Sequence, residues 1–307
     1  MGKLIRWRPL SAECRIYIYP QDKCKPVFKT PWAPRKVARA VHRWARERAS
    51  VSPREPVAQT VCNFDEDSLT LAAAAAINYL KGFDRQSLDA VYFASTMAPY
   101  KERQNAGIIA GALCAPDQVR SSDFTGSLKA GTGALLSALE LVAAGSGSSA
   151  IVCAGDCRLG KMGSVQELIF GDAGAAILVS DKGVIAEFKG FFSITRDFVD
   201  HVRGANSRFD RQWEERWIRD LGYSRFIPEA IKGLCGKYGL APADFAKVIY
   251  PCYFGAARKS INDQLGLSSE NVQDDMQATV GDTGAAHSIL MPAKALEEAN
   301  AGTSSSL

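Results

Sequence analysis

Two stretches of this chain share one design, a turn of small residues running straight into an apolar helical segment. Residues 125–144 read TGSLKAGTGALLSALELVAA, and residues 281–299 read GDTGAAHSILMPAKALEEA. A repeated turn-and-helix unit is the mark of an internal duplication, and it predicts two halves whose equivalent turns face each other. Such a turn is also where enzymes place a nucleophile, because the helix N-terminus points its free N–H groups at it. The first turn carries Leu128 at its centre, a side chain with no reactive group.

The residues around these units alternate between strand and helix patterns. LTLAAAAAINYLKGFD (69–84) predicts a helix opened by the acidic turn NFDEDS, whose carboxylates suit a helix N-terminus. LDAVYFAST predicts a buried strand, NAGIIAGALCAP a helix and VRSSDF a strand. The glycine turn and a helix over 132–144 follow. SSAIVCAGD and GDAGAAILVSD predict two further buried strands, with GVIAEFKGFFSIT as the hairpin partner of the second. This rhythm predicts a largely parallel sheet covered on both faces. The polar segment 196–225 interrupts it. Within that segment WEERWIRD places Trp213 and Trp217 four apart, on one face of a predicted amphipathic helix. The alternation then restarts with helix IPEAIKGLCGKYGL, strand FAKVIYPCYF and helix ARKSINDQLG, and the tail NAGTSSSL reads as loop.

Charge divides the chain. Residues 1–60 hold 14 Lys/Arg against 4 Asp/Glu, a balance of +10, whereas the remaining 23 basic and 29 acidic groups give −6. A basic head of this kind is found on nucleic-acid arms and organellar presequences. The acids and prolines in this one, and its lack of an amphipathic repeat, predict instead a leader of uncertain structure, with halves at 61–195 and 196–307. Neither nucleic acid nor membrane is expected as a partner, since no apolar run approaches the roughly 18 residues of a span. No secretory signal core follows the basic N-terminus. Eight cysteines are scattered without CxxC pairs, and Cys153 and Cys157 are the nearest neighbours. Reduced thiols and a cytoplasmic location are expected, and no metal site.

DEDSLTLA (65–72), SLKAGTGA (127–134), GDCRLGKMGSVQELIFGDAGAAILV (155–179), DFVDHVR (197–203), YPCYFGAARK (250–259) and GDTGAAHS (281–288) occur in an order that resembles the thiolase superfamily. The branch is that of hydroxymethylglutaryl-CoA synthase, beside ketoacyl synthase III. The resemblance covers about residues 61 to 299. It stops before the family's last strands, so the C-terminal half is expected to be incomplete, as in a truncated gene product. It implies a five-layered αβαβα fold of two duplicated halves, usually dimeric. The implied activity is acyl transfer from a coenzyme A thioester with a Claisen-type carbon–carbon step. The thioester is substrate and no cofactor is permanently bound. Relatives often work with a small zinc-ribbon/OB-fold protein that helps hold CoA.

Carried over residue by residue, the resemblance puts the family's nucleophilic cysteine on Leu128 and its acid/base glutamate on Thr96. The supporting histidine falls on Tyr250, and the asparagine of the second turn on Asp282. All four depart from the pattern. The candidate catalytic residues are therefore Tyr250, Asp282, Cys252 as a displaced nucleophile, and Ser127 as a neighbouring hydroxyl. Lys129, Arg258 and Lys259 are candidates for the phosphates of CoA. Each has an ordinary alternative: core packing for Leu128, Tyr250 and Cys252, helix capping for Asp282 and for the 65–67 acids, and a charged helix face for the basic residues. His287 reads as a packing residue and His201 as a solvated one. The expected function is an acyltransferase with its usual catalytic residues replaced. The alternative is a non-catalytic thiolase-fold subunit that keeps an acyl-binding pocket.

Overall fold

The computed structural model describes residues 13–18, 59–183, 185–298 and 305–306. β1 (Glu13–Ile18) is followed by α1 (Ser68–Tyr79), β2 (Ala90–Ala94), α2 (Asn105–Ala112), β3 (Arg120–Phe124) and α3 (Ala130–Ala143). Next come β4 (Ser149–Asp156), the short α4 (Val165–Ile169), β5 (Ala173–Ser180) and β6 (Ala186–Glu187). These strands form one sheet in the order β3-β2-β4-β5-β1-β6. The pairs β2/β3 and β2/β4 are parallel, while β4/β5, β5/β1 and β1/β6 are antiparallel. The sheet is therefore mixed, not largely parallel. The segment expected to pair with β5 as a hairpin contributes only β6, which pairs with β1. Strand β1, from within the basic leader, takes the place beside β5; apart from Gln59 and Thr60, the rest of the leader lies outside the described residues.

Every residue of β4 and β5 is buried, which is why both read as continuous apolar runs. Their period-2 alternation sorts the core into two faces. Ile151, Cys153, Ala176 and Leu178 pack with α1 and α2, whereas Val152, Ala154, Ala175 and Ile177 pack with α3. Helix α1 starts at a reciprocal cap: Asp67 accepts from the Thr70 N–H at 2.8 Å, and the Thr70 hydroxyl accepts from the Asp67 N–H at 2.6 Å. Its alanines let it lie close on the sheet, where a Cβ at Gly155 or Gly174 would overlap its backbone.

The second half contributes the hairpin β7 (His201–Val202) and β8 (Arg211–Gln212), then a π-helical stretch Trp217–Tyr223 running into α5 (Ser224–Tyr238). The helix opens only after Trp213. Trp213 and Trp217 therefore do not share a helical face; Trp217 stacks on Phe198 at 5.5 Å. β9 (Lys247–Val248), α6 (Gly255–Leu265), α7 (His287–Glu297) and β10 (Ser305–Ser306) complete the described chain. β10 pairs in parallel with β9, so the tail read as loop holds a short strand. Alternation again decides the sides. Ile249 packs on Met291 and Ala295 of α7, whereas Val248, Tyr250 and Cys252 turn toward α5 and α6. The order of layers is α1–α2, the main sheet, α3–α7, the small β9–β10 sheet, and α5–α6.

The two turn-and-helix units do meet. Gly131, in the first turn of α3, lies so close to the Ala285 carbonyl and the Ser288 hydroxyl that a Cβ there would overlap both. Two residues on, a Cβ at Gly133 would meet only the Phe124 ring at an ordinary 3.9 Å. Gly131→Ala is expected to destabilise the protein by about 1–3 kcal/mol through overpacking. Gly133→Ala should stabilise it by about 0.5–1 kcal/mol through helix propensity. Urea midpoints of the two variants check this contrast; equal effects would show that the turns are not in contact.

Candidate functional site

At the seam between the halves, Leu128, Arg158, Gln166, Ile169, Phe170, Asp200, His201, Gln212, Tyr223, Tyr253 and Asp282 line a small cavity of about 30 Å³. Leu128 comes from the turn before α3, and Asp282 from the equivalent turn before α7. Arg158 stands two residues past the end of β4. Asp200, His201 and Gln212 are supplied by the β7–β8 hairpin, and Tyr223 and Tyr253 by the ends of the second-half elements.

Arg158 and Asp282 form the centre of charge. The guanidinium Nη2 lies 2.7 Å from Asp282 Oδ1 and donates to the Asp282 carbonyl at 3.1 Å. Its plane covers the Phe170 ring at 4.0 Å. Burial by itself pushes the Asp282 carboxyl up, but the Arg158 charge and hydrogen bond, the nearby His287 and the Gly284 N–H together outweigh it and hold the group below the usual carboxylate range. Asp282 Oδ1 also accepts from the Gly284 N–H at 3.0 Å, so it shapes its own turn while facing the cavity.

A polar ring extends from this pair around the seam. Asp210 is buried 4.0 Å from Arg158 and is held at 2.6 Å by Arg203, whose other nitrogen donates to the Thr96 carbonyl. The Thr96 N–H and hydroxyl both donate to Asp156, at 2.8 and 3.0 Å. Asp156 is fully buried and also accepts from the Ser95 hydroxyl and from the N–H groups of Met97 and Ala285. Burial pushes the Asp156 carboxyl up, against these donors and the Arg158 charge. Through Asp156 and Ala285 the ring closes on the second turn. It thus couples the first half, the hairpin and the second half.

His201 and Asp200 form the titratable pair of the cavity, with Nδ1 2.9 Å from Asp200 Oδ1. The hydrogen bond to Asp200 raises the His201 pKa, against burial. A second chain runs from Gln166 Nε2 to Gln212 Oε1 (2.7 Å) and from Gln212 Nε2 to the Tyr253 oxygen (3.2 Å), leaving the Tyr253 O–H as a donor. Burial pushes the Tyr253 phenol up, so it stays neutral.

The two described histidines have opposite pH linkage. His201 has a raised folded-state pKa. Its contribution is complete below the unfolded value of about 6.5 and is lost as pH rises through the folded pKa. His287 is buried, with Nδ1 accepting from the Thr283 N–H at 3.4 Å and Nε2 2.9 Å from the Asp275 carbonyl. Burial lowers its pKa, so its contribution is present above about 6.5 and fades as pH falls. His201→Gln should therefore remove the decline in the wild-type melting temperature between about pH 6 and 8, leaving the acid-side decline intact. Melting curves across this range check it; parallel wild-type and variant profiles would show that the Asp200–His201 pair does not form.

The sequence-derived candidates divide. Leu128 and Asp282 reach the cavity together. Tyr250 does not line it: its hydroxyl donates to Asn262 Oδ1 at 2.5 Å on the α5–α6 side, because it shares strand parity with Val248. Cys252 is buried in the same core, its thiol pushed up to about 11 by burial, away from the cavity lining. Ser127 is exposed and accepts from the Lys129 N–H at 3.1 Å, which makes it a turn residue. Thr96 turns its hydroxyl to Asp156. Lys129 and Lys259 are exposed, while Arg258 is engaged by Asp275 and the Gln273 carbonyl. His201, read as solvated, lines the cavity, whereas His287 packs as expected. Arg158, Asp200, Gln166, Gln212, Tyr223 and Tyr253 were not singled out from sequence. The one available signal was the position of Arg158 just past a fully apolar strand, where a charge needs a partner.

No family model matches the chain. The hydroxymethylglutaryl-CoA synthase of Pyrobaculum arsenaticum is 30% identical over 247 residues, covering 80% of this chain and 70% of that protein. That of Pyrococcus furiosus is 32% identical over 196 residues, 62% of this chain; the match spans little more than half, 56%, of the relative. Among solved structures, Xanthomonas campestris OleA with bound lauric acid and lauroyl-CoA superposes with a TM-score of 0.74 at 15% identity, covering 96% of this chain and 92% of that one. The 3-oxoacyl-(acyl carrier protein) synthase III of Pseudomonas aeruginosa gives 0.69 at 18%, covering 94% and 89%. Superposition and sequence match agree: the chain belongs to the hydroxymethylglutaryl-CoA synthase family of the thiolase superfamily.

Proposed function

We propose that this chain holds a coenzyme A thioester at the mouth of the Leu128 cavity and carries out a Claisen-type step without an acyl-cysteine intermediate: the enolate carbon of one thioester joins the carbonyl of a second as its CoA thiol leaves, or the reverse cleavage runs. The observation that carries the reading is the convergence of Leu128, His201, Tyr253 and Asp282 on one cavity. A base is present and a nucleophile is not. In this reading His201, oriented by Asp200, moves the proton at the carbon next to the thioester, and the Tyr253 O–H donates to the thioester oxygen. Asp282 holds Arg158 and does not itself exchange a proton. Lys129 and Lys259, both exposed, are free to meet the phosphates of CoA. The halves 61–195 and 196–307 meet at the cavity, and pairing of two copies, or a small CoA-holding partner protein, belongs to the same reading. None of the described helices is long and apolar enough to cross a membrane.

A second reading, a non-catalytic subunit that binds acyl-CoA, is favoured by the replacement of the nucleophile by Leu128 and the burial of Cys252 in a separate core. Incubation with acetyl-CoA in D₂O separates the two. Deuterium entering the acetyl methyl group, slowed about 10²-fold or more by His201→Gln, supports the catalytic reading. Thioester binding without exchange supports the subunit, and absence of binding overturns both.

A further inference from the structure

We propose that Cys62, Cys157 and Asp172 form a binding site for a soft divalent cation, Zn²⁺ by ligand chemistry, on the face of the main sheet opposite the cavity. One ligand atom from each, two Sγ and a carboxylate oxygen, all lie within 4.8 Å of one another, and all three residues are half-buried. Ligands about 2.0–2.3 Å from a tetrahedral centre stand roughly 3.5–4 Å apart, so the cluster needs only a small contraction. Two thiolates with one carboxylate is a donor set suited to zinc and poor for magnesium or calcium. Three protein ligands leave the fourth tetrahedral position to water.

The fold brings these residues together for a definite reason. The β4/β5 ladder ends at the pair Asp156↔Ala173. One step further, Cys157 and Asp172 are the next facing positions, and period-2 alternation turns them to the α1 side, the side of Cys153 and Ala176. Cys62 is brought there by the segment before α1. Its own N–H donates to Asp172 Oδ2 at 2.9 Å. Two residues earlier, Thr60 is pinned by its hydroxyl to the Asp172 carbonyl at 2.7 Å, and its carbonyl accepts from the Asp172 N–H at 2.9 Å. The Sγ atoms of Cys62 and Cys157 thus come within 4.8 Å of each other before any cation binds. No ion pair reaches Asp172 among the described residues.

Binding would replace the two thiol protons, released to water, with two sulfur–metal bonds, and no oxidation is involved. The cation would clamp the segment before α1 onto the end of β4, one residue from Arg158. Sequence spacing carried no hint of this, because the ligands come from three separate elements and contain no CxxC pair.

The test uses the full chain, stripped with a chelator under reducing conditions and titrated with Co²⁺ and then Zn²⁺. Co²⁺ should give a thiolate-to-cobalt charge-transfer band with the visible bands of a tetrahedral site, at about one ion per chain, and Zn²⁺ should displace it. Cys62→Ser and Cys157→Ser should abolish the charge-transfer intensity or halve it, Asp172→Asn should weaken binding at least about 10-fold, and Cys114→Ser should change nothing. Should Cys157→Ser fold poorly, Cys62→Ser, in the segment outside the helices, carries the same test. Three results would overturn the proposal: no thiolate band while both thiols react with a disulfide reagent, a band unaffected by Cys62→Ser, or a Cys62–Cys157 disulfide in native protein that takes up no metal. These readouts are independent of thioester chemistry.

Discussion

Replacing Arg158 with Met is expected to destabilise the protein by about 3–5 kcal/mol, the usual consequence of removing one partner from a buried ion pair. The effect belongs to what is left behind. Asp282 keeps only the Gly284 N–H at 3.0 Å. Asp210, itself buried, keeps Arg203 but loses the second positive charge facing it. Against a typical stability of about 5–15 kcal/mol, this is a large fraction. It also falls at the seam, so the second-half turn is expected to loosen before the sheet does. The double variant Arg158→Met with Asp282→Leu should recover most of the loss, since an apolar pair of similar volume leaves no charge unpaired. Urea unfolding of the three proteins measures it. A loss below about 1 kcal/mol in the single variant, the range of exposed pairs, would show that this pair does not hold the seam.

The same seam separates what the sequence declares from what it conceals. Strands β4 and β5 are legible because all eight residues of each are buried, which forces continuous apolar runs. Helix α1 is legible from its Asp67 cap and its alanines. The contact of the two turns follows from the duplicated motif, and Gly131 against Ala285 fulfils it. Strand β1 is hidden because its partner, β5, is remote in sequence and its neighbourhood is basic. The resemblance points to Tyr250 because a motif gives position along the chain but not which face meets a cavity; Tyr250 turns to the outer α5–α6 core, and Tyr253 lines the cavity. The hairpin residues Asp200, His201, Arg203 and Asp210 were hidden for a different reason. A polar run reads alike whether it is solvated or satisfied by partners from other elements, and here the partners are Arg158 and Thr96. The polar half of the cavity is therefore legible only once the halves are docked.

Docking also decides whether residue 128 can carry a nucleophile, and Leu128→Cys is expected to convert the protein from unlabelled to stoichiometrically acylated by acetyl-CoA. Residue 128 lies two positions before α3, where the helix N-terminus favours a thiolate. It shares the cavity with His201, raised in pKa by Asp200 and thus partly protonated near neutrality, a second source of positive charge. Together these should bring the new thiol from about 8.5 to about 7 or lower, read from the pH dependence of its alkylation rate. Mass mapping after exposure to labelled acetyl-CoA should place the acetyl group on the peptide containing residue 128. Ser127→Cys is the control, because that side chain is exposed and bonded to its own turn; it should alkylate with an ordinary thiol profile and remain unacylated. Adding His201→Gln to Leu128→Cys should raise the thiol pKa again and slow acylation, which a pocket without that histidine would not do. Equal labelling of the two cysteine variants, or none at position 128 in a folded protein that binds CoA, would mean that the cavity does not present a thioester to this turn.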